Sequence, residues 1–255
     1  MQIYLSITPE QLRDAARYTR CFAHVAYRVG PESTLLRHNL LVQTRGGLLS
    51  LSDRDAPEVT APEKLCAAAL RECGRRGYGG VVLDFESKSR GDLLVLAGAL
   101  ERQLRRSRLA FFVPESYGGA VESAAVLVGT AISGGNFVQR LREAVKLRGA
   151  GRLALDVERL AMDFPLPCPG GQGRFLPRSE LAALMEREAP AVFFSPDLCA
   201  RYFTYTHAGE THFVLFDDGD TLVQKLRMGQ NLGAAAAFLQ YPEVEDLLPK
   251  LFGKA

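Results

Sequence analysis

Tryptophan is absent from this 255-residue chain, so any surface that stacks on a ring-shaped ligand must be built from phenylalanine or tyrosine. Cysteine is scarce and odd in number: Cys21, Cys66, Cys73, Cys168 and Cys199 contain no C-x-x-C pair. In a chain this long, that excludes a disulfide scaffold and points to free thiols in a reducing compartment. No stretch reaches the ~18 consecutive apolar residues of a membrane helix, and the first residues carry no basic segment followed by a long apolar one. We therefore expect a soluble protein, cytoplasmic in location, with no membrane partner. Charge of one sign is lacking too. With 31 Lys and Arg against 29 Asp and Glu the net charge is +2, which gives no field suited to nucleic acid. The basic clusters Arg75-Arg76 and Arg105-Arg106-Ser107-Arg108 fall at the ends of expected helices, where cations complement the helix dipole.

What is present is a βα alternation almost from end to end. Ile3–Ile7 reads as a strand and is followed by Thr8-Pro9-Glu10-Gln11, a helix start with a cap, a proline at the first position and a glutamine to close a capping box. Strands are expected at Phe22–Tyr27, Gly47–Leu51, Gly79–Glu86, Leu109–Val113, Ala125–Thr130, Leu160–Phe164 and Ala234–Leu239. Helices are expected at 62–76, 92–106, 137–147, 179–188 (with Ser179 as cap), 221–230 and 244–251. The run 202–216 reads as a hairpin, and the Pro- and Gly-rich stretch 165–177 as a long loop. The strands are apolar on both faces, as in a parallel sheet covered by helices. About 250 residues suits a (β/α)8 barrel, although an open doubly wound sheet gives the same periodicity.

In either architecture chemistry gathers at the carboxyl ends of the strands. Asp84 and Glu86 sit at such an end two residues apart, a spacing that points both side chains to one face of a strand. Two carboxylates side by side repel, so one of them holds its proton toward neutral pH and can act as an acid. From the pair alone, two solvated acids that merely end a strand are an equal reading.

The run Gly79-Gly80-Val81-Val82-Leu83-Asp84-Phe85-Glu86 resembles the D-G-x-D-x-D-W/F-E signature of glycoside hydrolase family 18. Gly80, Asp84, Phe85 and Glu86 match, while Gly79 and Val82 stand where the signature has aspartates. Leu160–Leu166 resembles the family's seventh-strand run. The segment from Phe213 through Asp217-Asp218 and Lys225 to Gly233 resembles its penultimate strand, D-D-x-x-S-x-x-x-K helix and final strand. The resemblance implies an α/β fold, a single TIM barrel over residues 1–255 with a small β-rich insertion before the last strand.

It also implies a glycosidase acting on β-linked N-acetylhexosamine glycans of the peptidoglycan or chitin type. The mechanism would be substrate-assisted, with Glu86 as general acid and base and Asp84 orienting the 2-acetamido group. Phe238 falls where the family floors its sugar subsite, and Tyr241 is a second stacking candidate. The sixth-strand tyrosine is missing, with Val128-Gly129-Thr130-Ala131 in that region. Tyr27 and Tyr117, at the ends of the second and fifth strands, are candidates to replace it. The departures leave a second reading open, a barrel that binds glycans without efficient catalysis. No cofactor or metal is expected: His207 and His212 flank a hairpin turn and have no third ligand nearby. Ser133-Gly134-Gly135-Asn136 reads as a strand-to-helix turn, and Cys66 and Cys73 as core residues of one helix face.

Overall fold

The computed structural model describes residues 1–38, 46–88, 90–168 and 170–253. Strand β1 (Gln2–Ile7) leads through the short helix α1 (Leu12–Ala15) to β2 (Phe22–Gly30), against which β3 (Thr34–Arg37) folds back antiparallel. Then follow β4 (Leu48–Ser52), α2 (Pro62–Arg76), β5 (Gly80–Asp84), α3 (Gly91–Arg106), β6 (Ala110–Pro114), β7 (Ala125–Gly129), α4 (Phe137–Arg148) and β8 (Leu153–Val157). An inserted unit comes next: β9 (Ala161–Leu166), β10 (Arg174–Phe175), α5 (Arg178–Glu188), β11 (Phe193–Ser195), β12 (Ala200–His207) and β13 (Glu210–Phe216). The chain finishes with α6 (Gly219–Asn231), β14 (Ala236–Gln240), α7 (Tyr241–Val244) and α8 (Leu248–Phe252).

Parallel pairing runs β1-β14-β8-β7-β6-β5-β4-β2, and β2 closes the ring onto β1. The result is an eight-stranded (β/α)8 barrel, with the expected β-rich insertion before the last strand. Inside the barrel, small residues alternate with large ones. Ala23, Ala125, Ala154 and Ala236 leave room for Tyr4, Phe112 and Phe238, which pack as a trio. Phe238 stacks on Tyr4 at 5.2 Å and meets Phe112 edge-on at 5.0 Å. Their offset and edge contacts fill the lumen at the density of a packed core. The outer faces of the strands bury Leu, Val and Ala against the helices in two further clusters.

Local signals explain the boundaries. The amide of Thr8 donates to the Gln11 side chain at 2.9 Å, as the capping box requires. Helix α2 begins at Pro62 and ends on Gly77 in the left-handed region (φ 68°), a conformation that glycine adopts without a Cβ clash. Gly80 lets β5 lie close to β6, because a Cβ there would overlap the Ala110 carbonyl. Asn136 caps α4 by accepting from the Gln139 amide. The turn at Ala208-Gly209 joins β12 to β13 with positive φ at both residues, the geometry of a tight hairpin.

Four expectations change. Leu160–Phe164 does form a strand, but it belongs to the antiparallel sheet β10-β9-β13-β12-β11. The seventh barrel strand is instead β8, a few residues earlier. Ser179 lies inside α5, whose N-cap is Pro177. The stretch 165–177 contains the end of β9 and all of β10, while its residue 169 lies outside the described ones. The closing helix is broken by a 3-10 turn into α7 and α8.

Candidate functional site

At the carboxyl end of the barrel, alternation along β5 turns Val82 and Asp84 inward. On β8 it does the same for Ala154 and Asp156, and on β14 for Phe238 and Gln240. Asp84, Asp156, Ser6, Ser50, Phe238 and Gln240 line one small cavity of about 90 Å³. Two larger clefts share its walls. One, about 360 Å³, has Asp84 and Glu86 with Arg28, His38 and Arg54. The other, about 690 Å³, has Glu86, Asp156 and Glu158 with Lys88, Glu115 and Arg140. The mouth is thus one acidic depression with Phe238 in its floor, backed by Tyr4 and Phe112.

Strand β5 ends at Asp84, so Glu86 stands on the loop above it and its side chain is exposed. That loop is held from three directions. The Asp53 carboxylate, buried at the end of β4, accepts from the amides of Glu86 at 2.9 Å and Ser87 at 3.0 Å. The Tyr117 hydroxyl donates to the Ser87 carbonyl at 2.7 Å, and its ring meets Phe85 edge-on at 5.3 Å. Backbone donors satisfied by a buried carboxylate make charge-assisted bonds, which fix the place from which Glu86 reaches the cleft.

The electrostatics follow from crowding. Burial, and then the neighbouring charges of Glu86 and Asp53, raise the Asp84 carboxyl above its ordinary value. Asp156 is pushed up to about 7, first by burial and then by Glu158, Asp84 and Glu243. Burial, with Glu243 beside it, raises Glu158 as well, against an opposing pull from Lys225. Like charges in a partly dry mouth disfavour full ionisation, so such a site retains protons near neutral pH.

The structure brings Asp84, Glu86 and Phe238 to the mouth; Tyr27 is among the residues that line the cleft with Asp84 and Glu86, while Tyr117 and Tyr241 lie away from it. A β-bulge between Val25 and Tyr27 shifts the register, so that Val25 pairs with Ser50 but Tyr27 with Leu51. Ser50 faces the cavity and Leu51 the helices, so the bulge turns Tyr27 outward. Its hydroxyl bonds to Glu72 on α2 at 3.0 Å and to Tyr78 at 3.1 Å. Tyr117 is fully buried behind the Glu86 loop. Tyr241 follows inward-facing Gln240 by one residue and packs outside the barrel. The hydroxyls of Tyr27 and Tyr117 are thus engaged by Glu72 and Tyr78 and by the Ser87 carbonyl.

Sequence reasoning passed over Asp156 and Glu158, although a signal was there. Leu155-Asp156-Val157-Glu158 repeats the L-D-x-E pattern of Leu83-Asp84-Phe85-Glu86. Asp53 carries no comparable motif, since its partners lie 33 and 34 residues away. The D-D-x-x-T-x-x-x-K stretch proves structural. Lys225 and Asp217 form a fully buried ion pair at 2.7 Å, Asp217 also accepts from the Leu160 amide, and Asp218 caps α6. His212 meets Asp163 at 3.0 Å on the inserted sheet. Among the described residues, no group of three His, Cys, Asp or Glu side chains is placed to hold a metal ion. A groove of about 1000 Å³ between the insertion and the final turns, lined by Phe175, Leu176, Met185 and Phe216, contains neither Asp84 nor Asp156.

The class that fold and mouth define is a (β/α)8 barrel with an acidic carboxyl-end cleft and an antiparallel insertion ahead of the last strand. That fold is shared with a chitinase from Chromobacterium violaceum (TM-score 0.73, 13% identity, covering 99% of this chain and 98% of that one). It is also shared with a glycoside hydrolase family 18 N-acetylglucosaminidase from Paenibacillus barengoltzii (0.70, 13%, 100% and 99%). A third similar structure is the spore cortex-lytic enzyme SleL of Bacillus megaterium (0.67, 14%, 98% and 74%). At these identities the likeness is one of fold. The chain matches no protein-family profile and no curated protein sequence.

Proposed function

We propose that the chain is a glycoside hydrolase acting on glycans that contain β-linked N-acetylhexosamine, with Glu86 as general acid and base. The observation that carries this reading is the placement of Asp84 and Glu86. Asp84 ends the fourth strand and Glu86 stands on the loop just above it, in a barrel whose fold is shared with chitinases and a spore cortex-lytic enzyme, over an aromatic floor that includes Phe238.

In this mechanism the 2-acetamido oxygen of the bound sugar attacks its own anomeric carbon, and the glycosidic C–O bond breaks. Glu86 gives its proton to the departing oxygen. The Asp84 carboxylate accepts from the acetamido N–H and balances the positive charge of the cyclic oxazolinium ion. Ionised Glu86 then takes a proton from water as that water attacks the anomeric carbon and reopens the ring. Two inversions leave the configuration retained. Asp53 and Tyr117 act by holding the backbone from which Glu86 works.

A second reading, glycan binding without efficient turnover, is favoured by one observation. Val82 packs against Phe112 and Leu127 beneath Asp84, so no carboxyl from its own strand orients Asp84. Isothermal calorimetry and product analysis with N-acetylglucosamine tetramer separate the two. Release of shorter oligomers whose new reducing ends are β before mutarotation supports the hydrolase. Binding with no release supports the second reading, and α-anomeric products overturn the mechanism.

A further inference from the structure

We infer that Asp156 is a positioning residue for Asp84, the two carboxyls holding one proton between them across the small cavity, with Asp156 as donor. The inference rests on the function proposed for Asp84 and Glu86. Three observations carry it. Asp84 and Asp156 line the same 90 Å³ cavity, from strands three places apart in the ring. Both are the inward-facing aspartate of an L-D-x-E strand end. Among the described residues neither carboxyl has a hydrogen-bond partner, although the neighbouring Asp53 has two.

Two carboxyls lining one small cavity cannot both ionise without strong repulsion, and their protons leave in two steps that belong to the pair. The surroundings decide which carboxyl keeps the proton. Glu86 and Asp53 face Asp84, and burial is its largest influence. Burial is the largest influence on Asp156 too, and three further acids, Glu158, Asp84 itself and Glu243, crowd it. The cations of the adjoining clefts, Lys88 and Arg140 on one side and Arg28 and Arg54 on the other, line walls shared with Glu86. The Lys225 ammonium is neutralised by Asp217. Asp84 therefore ionises first, and Asp156 remains a neutral O–H donor until the pH approaches 7.

Through that O–H, Asp156 does from across the barrel what Val82 cannot do from the strand below. It gives the Asp84 carboxylate a fixed orientation toward a bound acetamido group. Once Asp156 ionises, the donor is lost and a second charge enters the cavity.

The test combines titration with kinetics. In wild type, carbon-13 NMR of labelled aspartate should show one carboxyl titrating near pH 7. That signal should vanish in Asp156→Asn, and in Asp84→Asn it should move down by about one pH unit or more. With a fluorogenic N-acetylglucosamine oligomer, kcat/KM of wild type should fall as pH rises through 7. Asp156→Asn, a donor that cannot titrate, should keep its activity above pH 7, whereas Asp156→Ala should lose at least tenfold in kcat below pH 7, where wild type keeps the donor. A residue that is merely structural would give parallel pH profiles in all three proteins. Independent titration of Asp84 and Asp156 overturns the inference even if no glycan is hydrolysed. Coupled titration without hydrolysis upholds the pair and counts against the proposed function alone.

Discussion

Asp53 shows how much of this site depends on residues that touch no ligand. Its buried carboxylate is the acceptor for two loop amides, and removing it orphans both donors. Asp53→Ala should lower stability by about 1–3 kcal/mol for each donor left unsatisfied, read from urea unfolding. It should reduce kcat more than it raises KM, because Glu86 loses its fixed starting point. An unchanged kcat would show that the loop is held by Tyr117 and Phe85 alone. At this scale the sequence was partly legible. Asp84, Phe85 and Glu86 stood out as a motif, and Phe238 by its place in the last strand. The direction of the Tyr27 side chain was not legible, because strict alternation from Ala23 and Val25 points it inward. The bulge that reverses it leaves no mark in Phe22–Tyr27. Asp53 was invisible for a different reason, since its role is created by closure of the ring between β4 and β5.

Among the elements, the barrel strands were the most legible. Capped helices and apolar runs alternate at spacings that only parallel pairing satisfies. Assignment of a strand to its sheet was the weak point. β8 and β9 are separated by three residues and are both largely buried, so hydrophobicity does not say which one stays in the barrel. The Lys225–Asp217 pair answers that physically. It ties the end of β13 to α6 and, through the Leu160 amide, to the start of β9, and so anchors the insertion to the barrel. Lys225→Met leaves a buried carboxylate without its cation, and we expect it to cost about 3–5 kcal/mol. A thermal midpoint within a degree of wild type would contradict that role. Gly80→Ala tests the approach of β5 to β6. The added methyl meets the Ala110 carbonyl, and an overpacked contact of this kind costs about 1–3 kcal/mol.

For the whole molecule, the crowded mouth makes stability depend on pH in a defined direction. Burial, followed by the charges of Glu158, Asp84 and Glu243, raises folded Asp156 to about 7, against about 3.9 in an unfolded chain. The folded state therefore holds this proton more tightly. The contribution is complete below the unfolded value and is lost as pH rises through about 7. Asp156→Asn should match wild type in calorimetric midpoint near pH 4 and exceed it by pH 8, and a variant less stable at pH 8 would contradict this. Glu101 works in the opposite sense. Burial raises its carboxyl, but hydrogen bonds from the amides of Glu122, Ser123 and Ala124 outweigh that and hold it below the ordinary range. Its contribution is therefore present at neutral pH and lost as pH falls through its lowered value. Concentrating proton-retaining acids at the mouth lowers stability at neutral pH.

The central claim is that Glu86 is the acid and base of a glycosidase, and the most direct test compares wild type with Glu86→Gln on a fluorogenic N-acetylglucosamine trimer. The account predicts measurable release by wild type, a loss of about 100-fold to 10,000-fold in the variant, and unfolding midpoints that agree. Release that is undiminished in Glu86→Gln would contradict it.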